Sequence, residues 1–95
     1  MSAKNSDLKP VTKKPVSRDA LIATGERVQN ATDLGQCMRK RRKKLGYTQV
    51  EVAMMLGCSP RLIGEMERGR GSVAFDRMLA YATGLGIDIV AFPRG

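Results

Sequence analysis

Two helix starts stand almost back to back between Thr48 and Pro60, and that proximity constrains the fold more than any other feature. Thr48-Gln49-Val50-Glu51 is a capping box: the Thr48 hydroxyl can accept from the Glu51 amide while the Glu51 carboxylate reaches back. Gly57 offers the backbone angles that stop a helix, Ser59 supplies a second N-cap, and Pro60 takes a first helical position where a missing N–H costs nothing. Helices this short are marginal alone, so each must bury a face. Val52, Ala53 and Leu56 form the inward face of the first, and Ile63 and Met66 that of the second. Ala53 must be small because the second helix crosses close to it, and Ile63 locks the pair.

Helical patterns flank this unit. One runs from about Asp33 to Leu45, with Thr32 as N-cap, Asp33 at the positive start, Lys43 and Lys44 at the negative end, and Gly46 as stop. Its inward stripe is Leu34, Met38 and Leu45, with Cys37 beside it. After a loop in which Gly69 and Gly71 bracket Arg70, a further helix spans about Val73 to Leu85, with Phe75, Met78, Leu79 and Ala82 at helical spacing. Ile87 to Phe92 is a β-prone run that Pro93 closes. Residues 1–31 read as a basic arm, disordered to about Val16, where lysines and prolines outnumber large apolar groups. Beyond that, Ser17 caps a short or fluctuating helix carrying Leu21, Ile22 and Val28, which Gly25 weakens. Residues 32–95 are then the folded domain, of a size at which one core is marginal.

The net charge of +8 favours an anionic partner, nucleic acid or an acidic membrane surface. No apolar run spans a bilayer and the amino terminus lacks an apolar signal segment, which predicts a soluble, cytoplasmic chain. There is no histidine and no CxxC, so Cys37 and Cys58 read as buried reduced thiols and no metal site is expected. No nucleophile–base pair and no Walker-type loop is recognisable. The expectation is a protein that is not an enzyme and uses no cofactor.

Two short helices in this arrangement make a helix-turn-helix. Thr48-Gln49, Ala53, Gly57-Cys58-Ser59, Ile63, Glu67 and Gly69 resemble the core pattern of the Cro/repressor, or XRE-like, family over about Leu34 to Leu85. The resemblance implies a mainly α, lambda-repressor-like domain of four or five helices that lays its second short helix in the major groove of double-stranded DNA. It implies a phosphate contact for Gln49 at the start of the first short helix, beside Thr48. It implies an exposed reading face of Ser59, Pro60, Arg61, Gly64, Glu65 and Arg68, and a structural pair between Arg42 and Glu67. Gly64 and Pro60 depart from the family in lacking the polar groups frequent there. Discrimination then falls on Arg61, whose guanidinium can bond guanine in bidentate fashion. Arg68 and Arg70 suit phosphates, and Glu65 either accepts from cytosine or excludes wrong bases. The cations of Arg39 to Lys44 wrap right round a helix, so only some, Lys43 and Lys44 among them, can flank the DNA backbone.

One terminal strand has no partner within its own chain, and the simplest partner is the same strand of a second copy. Ile87, Ile89 and Ala91 share one face and Val90 and Phe92 the other. Such a homodimer presents two reading helices to a palindromic operator. The loop Gly69-Arg70-Gly71-Ser72-Val73, the helix ending Gly84-Leu85-Gly86-Ile87 and the closing strand resemble the HipB-type antitoxins, which implies autorepression and a HipA-like kinase toxin as partner. A stand-alone phage or chromosomal repressor shares the DNA-binding features, and an interaction module for protein or RNA shares the fold.

Overall fold

Local side-chain caps decide where each helix begins, and residues 17–94 are described in the computed structural model. The arm up to Val16 lies outside the described residues. Helix α1 (Arg18–Thr24) starts where the Ser17 hydroxyl accepts from the Ala20 amide and ends at Gly25. Of the three apolar residues expected on it, Ile22 and Val28 are exposed and Leu21 is half-buried.

Helix α2 (Ala31–Leu45) begins earlier than the sequence suggests. Asn30, not Thr32, is the cap: its side-chain oxygen accepts from the Asp33 amide at 2.8 Å, while the Asp33 carboxylate accepts from the Gln29 amide at 2.9 Å. This reciprocal arrangement satisfies two helix-end donors at once. Helix α3 (Gln49–Leu56) carries the complete capping box, at 3.1 Å from the Glu51 amide and 2.8 Å from the Thr48 amide. It stops at Gly57 with φ 70°, and helix α4 (Pro60–Glu67) starts from the Ser59 hydroxyl bonded to the Leu62 amide. Helix α5 (Phe75–Gly84) has no side-chain cap at Ala74. Val73, expected inside it, instead closes the preceding loop through its amide to the Arg70 carbonyl.

Helix α4 packs against both α2 and α3, and α5 closes the other side of α2 and α3. The core holds Leu34, Met38, Val52, Ala53, Ile63, Met66, Met78, Tyr81, Ala82 and Leu85. Among the expected core residues, Leu45 at 42 % and Phe75 at 61 % exposed stand outside it, and Leu56 and Leu79 are only half-buried. The inward row of α2 continues from Met38 to Arg42 and ends there. That of α5 runs through Met78, Tyr81 and Ala82, past the first turn that holds Phe75. Gly35 is where α2 and α4 meet most closely: a Cβ there would stand 2.6 Å from the Glu67 carbonyl oxygen.

No strand forms among the described residues. The run from Ile87 to Phe92 has no regular structure: a strand exists only as one of a paired set, and no other strand forms among the described residues. Ile87 is half-buried against the core with its amide bonded to the Ala82 carbonyl, whereas Ile89 and Val90 are exposed. Cys37 and Cys58 are free thiols but only half-buried. Among the described residues no helix is long and apolar enough to cross a membrane, and no group of side chains has a metal-holding arrangement.

Candidate nucleic-acid interface

One carboxylate ties four helices together. Glu67, the last residue of α4, is 5 % exposed. From α2, Arg42 donates through Nε at 2.6 Å to Oε2 and through Nη2 at 2.9 Å to Oε1. From α3, Gln49 donates through Nε2 at 3.1 Å, and from α5 the Tyr81 hydroxyl donates to Oε2. The remaining Arg42 nitrogen, Nη1, donates to the Tyr47 carbonyl at 3.0 Å. Burial pushes the Glu67 carboxyl upward, but the hydrogen bonds from Arg42, Tyr81 and Gln49 outweigh it and hold the group below its ordinary value. Burial, followed by the Glu67 contact, raises the Tyr81 phenol. The result fixes the end of α4 against the start of α3, so the turn between them is held from outside as well as by its own caps.

The opposite side of α4 is open. Arg61 has a side chain 87 % exposed, and its Nε lies 3.3 Å from Oε2 of Glu65 one turn on. Pro60 is exposed, and the Ser59 and Thr48 hydroxyls each accept from a helix-end amide. A hydroxyl that accepts in this way keeps its own O–H free to donate. Gly64 is not on the exposed face, in contrast to what the family resemblance implies: it is buried. A Cβ there would stand 3.2 Å from Nη1 of Arg68 and 3.7 Å from Nε2 of Gln49. The Arg68 guanidinium therefore folds back across the glycine and lies beside the Gln49 amide. These groups, with Thr32, Gln36 and Arg39 from α2, line a polar concavity at the side of α4. A second groove, on the other flank, is lined by Ser59, Arg61, Glu65, Ser72 and Arg77. Arg70 is exposed in the loop, with its amide on the Glu65 carbonyl.

The cationic run of α2 divides by partner. Arg41 donates to the Leu85 carbonyl at 2.7 Å, beside the carboxyl end of α5 where a cation is favoured. Lys40 pairs at 2.6 Å with Glu26, which also accepts from the Cys37 thiol at 3.0 Å. Burial, with the Glu26 contact second, pushes that thiol up to about 11, so it stays protonated at neutral pH. Arg42 is held by Glu67. Arg39, Lys43 and Lys44 remain exposed, but only Arg39 joins the concavity with Gln49 and Arg68. Sequence reasoning missed Gln36, Arg77 and Tyr81. Tyr81 sits three residues after Met78 and four before Leu85, a spacing that could have placed it inward. Gln36 and Arg77 carry no such local signal.

A family model described as helix-turn-helix matches residues 38–92. That span takes in α3, α4, α5, the part of α2 that carries Arg42, and the closing segment. No curated protein matches the chain. The match covers more than half of the sequence, includes every member of the Glu67 cluster and both short helices, and means that this chain belongs to the XRE-type helix-turn-helix family of DNA-binding transcription regulators.

Proposed function

We propose that this regulator is a homodimeric, sequence-specific repressor that lays α4 in the major groove of a palindromic operator. The observation that carries this reading is the asymmetry of α4. Its inward side is locked on the core through Ile63, Met66 and Glu67, while Arg61 projects into solvent from the other. Arg61 reads a base edge, for which a guanidinium fits guanine O6 and N7. Gln49, Arg68 and Arg39 take phosphates on one flank. Arg70, Lys43 and Lys44 supply further backbone contacts, and the free O–H groups of Thr48 and Ser59 donate to phosphates near the positive helix ends. Gly64 serves this face from beneath, by giving the Arg68 guanidinium room to lie beside Gln49.

The dimer rests on the closing segment. Ile89 and Val90 are exposed just beyond Ile87, which is anchored on the core. Pairing Ile87 to Phe92 with the same run of a second copy turns the irregular segment into a ladder and covers the exposed Ile89 and Val90 side chains. The Gly69-to-Val73 loop and the Gly84-to-Ile87 ending support the HipB-like branch, in which the dimer represses its own operon and holds a HipA-like serine/threonine kinase toxin.

Sedimentation and operator titration test these levels together. The full chain is expected to sediment as a dimer and to bind one selected palindrome at least ~10³-fold more tightly than random duplex. A chain ending at Gly86 is expected to sediment as a monomer, and a dimer surviving that truncation rules out the strand pairing. Co-purification with the kinase encoded next to its gene supports the antitoxin role. A neighbourhood without such a kinase leaves a stand-alone repressor.

A further inference from the structure

The exposed face of α4 offers little reading capacity besides Arg61. Pro60 has no donor, Gly64 is buried, and the Ser59 hydroxyl, already accepting from the Leu62 amide, keeps a single O–H. Yet an arginine that is 87 % exposed reaches phosphates as easily as bases, and a phosphate contact carries no sequence information. Its partner in the pair is less free. Glu65 has a side chain only 29 % exposed and lies in the groove beside Ser72 and Arg77. Its carboxylate meets the guanidinium from the Nε side. A guanidinium presents its donors as a rigid fork, so a carboxylate at Nε leaves the two terminal nitrogens together as the free edge. That edge matches guanine O6 and N7. The same carboxylate repels the phosphates on which an unrestrained Arg61 would otherwise settle.

We propose that Glu65 is a positioning residue that turns Arg61 from a phosphate contact into a guanine reader. The proposal rests on the DNA-reading function above and goes beyond it by assigning discrimination to the pair rather than to the arginine alone.

The test uses the full-length protein and a palindrome selected from random duplex. Arg61→Ala first identifies the guanine position, as the one position where discrimination collapses. Glu65→Ala is then expected to lower discrimination at that same position by roughly fivefold to tenfold, within the range of one bidentate base contact. At the same time its affinity for random duplex is expected to rise, and its salt slope to steepen by about one phosphate, as Arg61 swings to the backbone. Glu65→Gln keeps an oxygen for Nε without the charge and is expected to fall between the two. Thermal melting of each variant separates these effects from misfolding. Unchanged discrimination with uniformly tighter binding makes Glu65 a repulsive charge only and overturns the proposal. Loss at a different position, a cytosine, makes Glu65 a base reader itself and also overturns it. A wild-type protein with no preferred sequence overturns the base-reading function and this proposal with it, and it is recognised before any variant is made.

Discussion

Two arginine–glutamate pairs meet on the same short helix and have opposite roles. Arg42 and Glu67 are buried, bidentate and joined by Tyr81 and Gln49. Arg61 and Glu65 are a single contact at 3.3 Å between neighbouring turns, the arginine exposed and the glutamate half-buried. The chemistry is the same and the surroundings differ. In the interior the carboxylate cannot fall back on water, so every lone pair must be met by the protein, and four donors from three other helices converge on it. At the surface either partner can leave at little cost, because water replaces it. The first pair therefore specifies where α4 sits, and the second leaves the terminal nitrogens of Arg61 available when DNA arrives.

The largest expected effect breaks the first pair. Glu67→Ala or Arg42→Ala leaves the other member buried without its counter-charge and should cost ~3–5 kcal/mol in urea unfolding, close to the whole stability of a domain this small. A loss below ~1 kcal/mol would mean that the buried and exposed pairs are equivalent after all. Gly35→Ala comes next. It leaves both pairs chemically intact but drives a Cβ into the carbonyl oxygens of Met66 and Glu67, and should cost ~1–3 kcal/mol through overpacking. Tyr81→Phe removes one of the four donors and should cost ~1 kcal/mol or somewhat more, because the acceptor is charged.

Acid sharpens the comparison further. The Glu67 carboxyl is held below the ordinary value of 4.5 in the folded state, so the unfolded chain binds its proton first as pH falls. The stability it contributes is complete above that ordinary value and disappears as pH drops through the lower folded value. The urea midpoint of the wild type should therefore fall more steeply below 4.5 than that of Glu67→Gln, which has no proton to take up there. A parallel decline in the two proteins would remove Glu67 as the source.

What the sequence discloses follows from how far each interaction reaches. The Thr48 box and the Ser59-Pro60 start are read directly, since each is closed by a side chain three residues from its amide. Asn30 and Thr32 are both capping types, and only the reciprocal bond with Asp33 and Gln29 selects Asn30. The family resemblance puts Gly64 on the reading face, yet Arg68 from the next turn covers it, and no pattern of residue types foretells that fold-back. The pairing of Arg42 with Glu67 was implied by family resemblance, not by spacing, and the Tyr81 hydroxyl that completes it comes from a helix fourteen residues on. The closing run is β-prone by composition, but a strand is a property of two paired segments, and no second strand forms among the described residues.

The smallest effect on stability belongs to the exposed pair, and its smallness is the point. A double-mutant cycle between Arg61 and Glu65 should give a coupling of ~0.3–0.5 kcal/mol in the free protein, shrinking toward zero in 1 M salt where the Debye length is ~3 Å. The same cycle between Arg42 and Glu67 should keep most of its coupling in that salt, because a buried pair is poorly screened. A pair that weak does not spend the arginine in the free protein, and that is what a reading residue requires. Its effect on reading arises in the complex, where the groove displaces water from around the pair and the same charges interact in a lower dielectric, so that a coupling this small in the free protein grows to the roughly fivefold to tenfold effect expected on DNA. A strong, salt-resistant coupling for Arg61 and Glu65 would mean that the arginine is spent within its own helix, and the base reader would then have to be sought in Arg68 or Arg77, on the two flanks of α4.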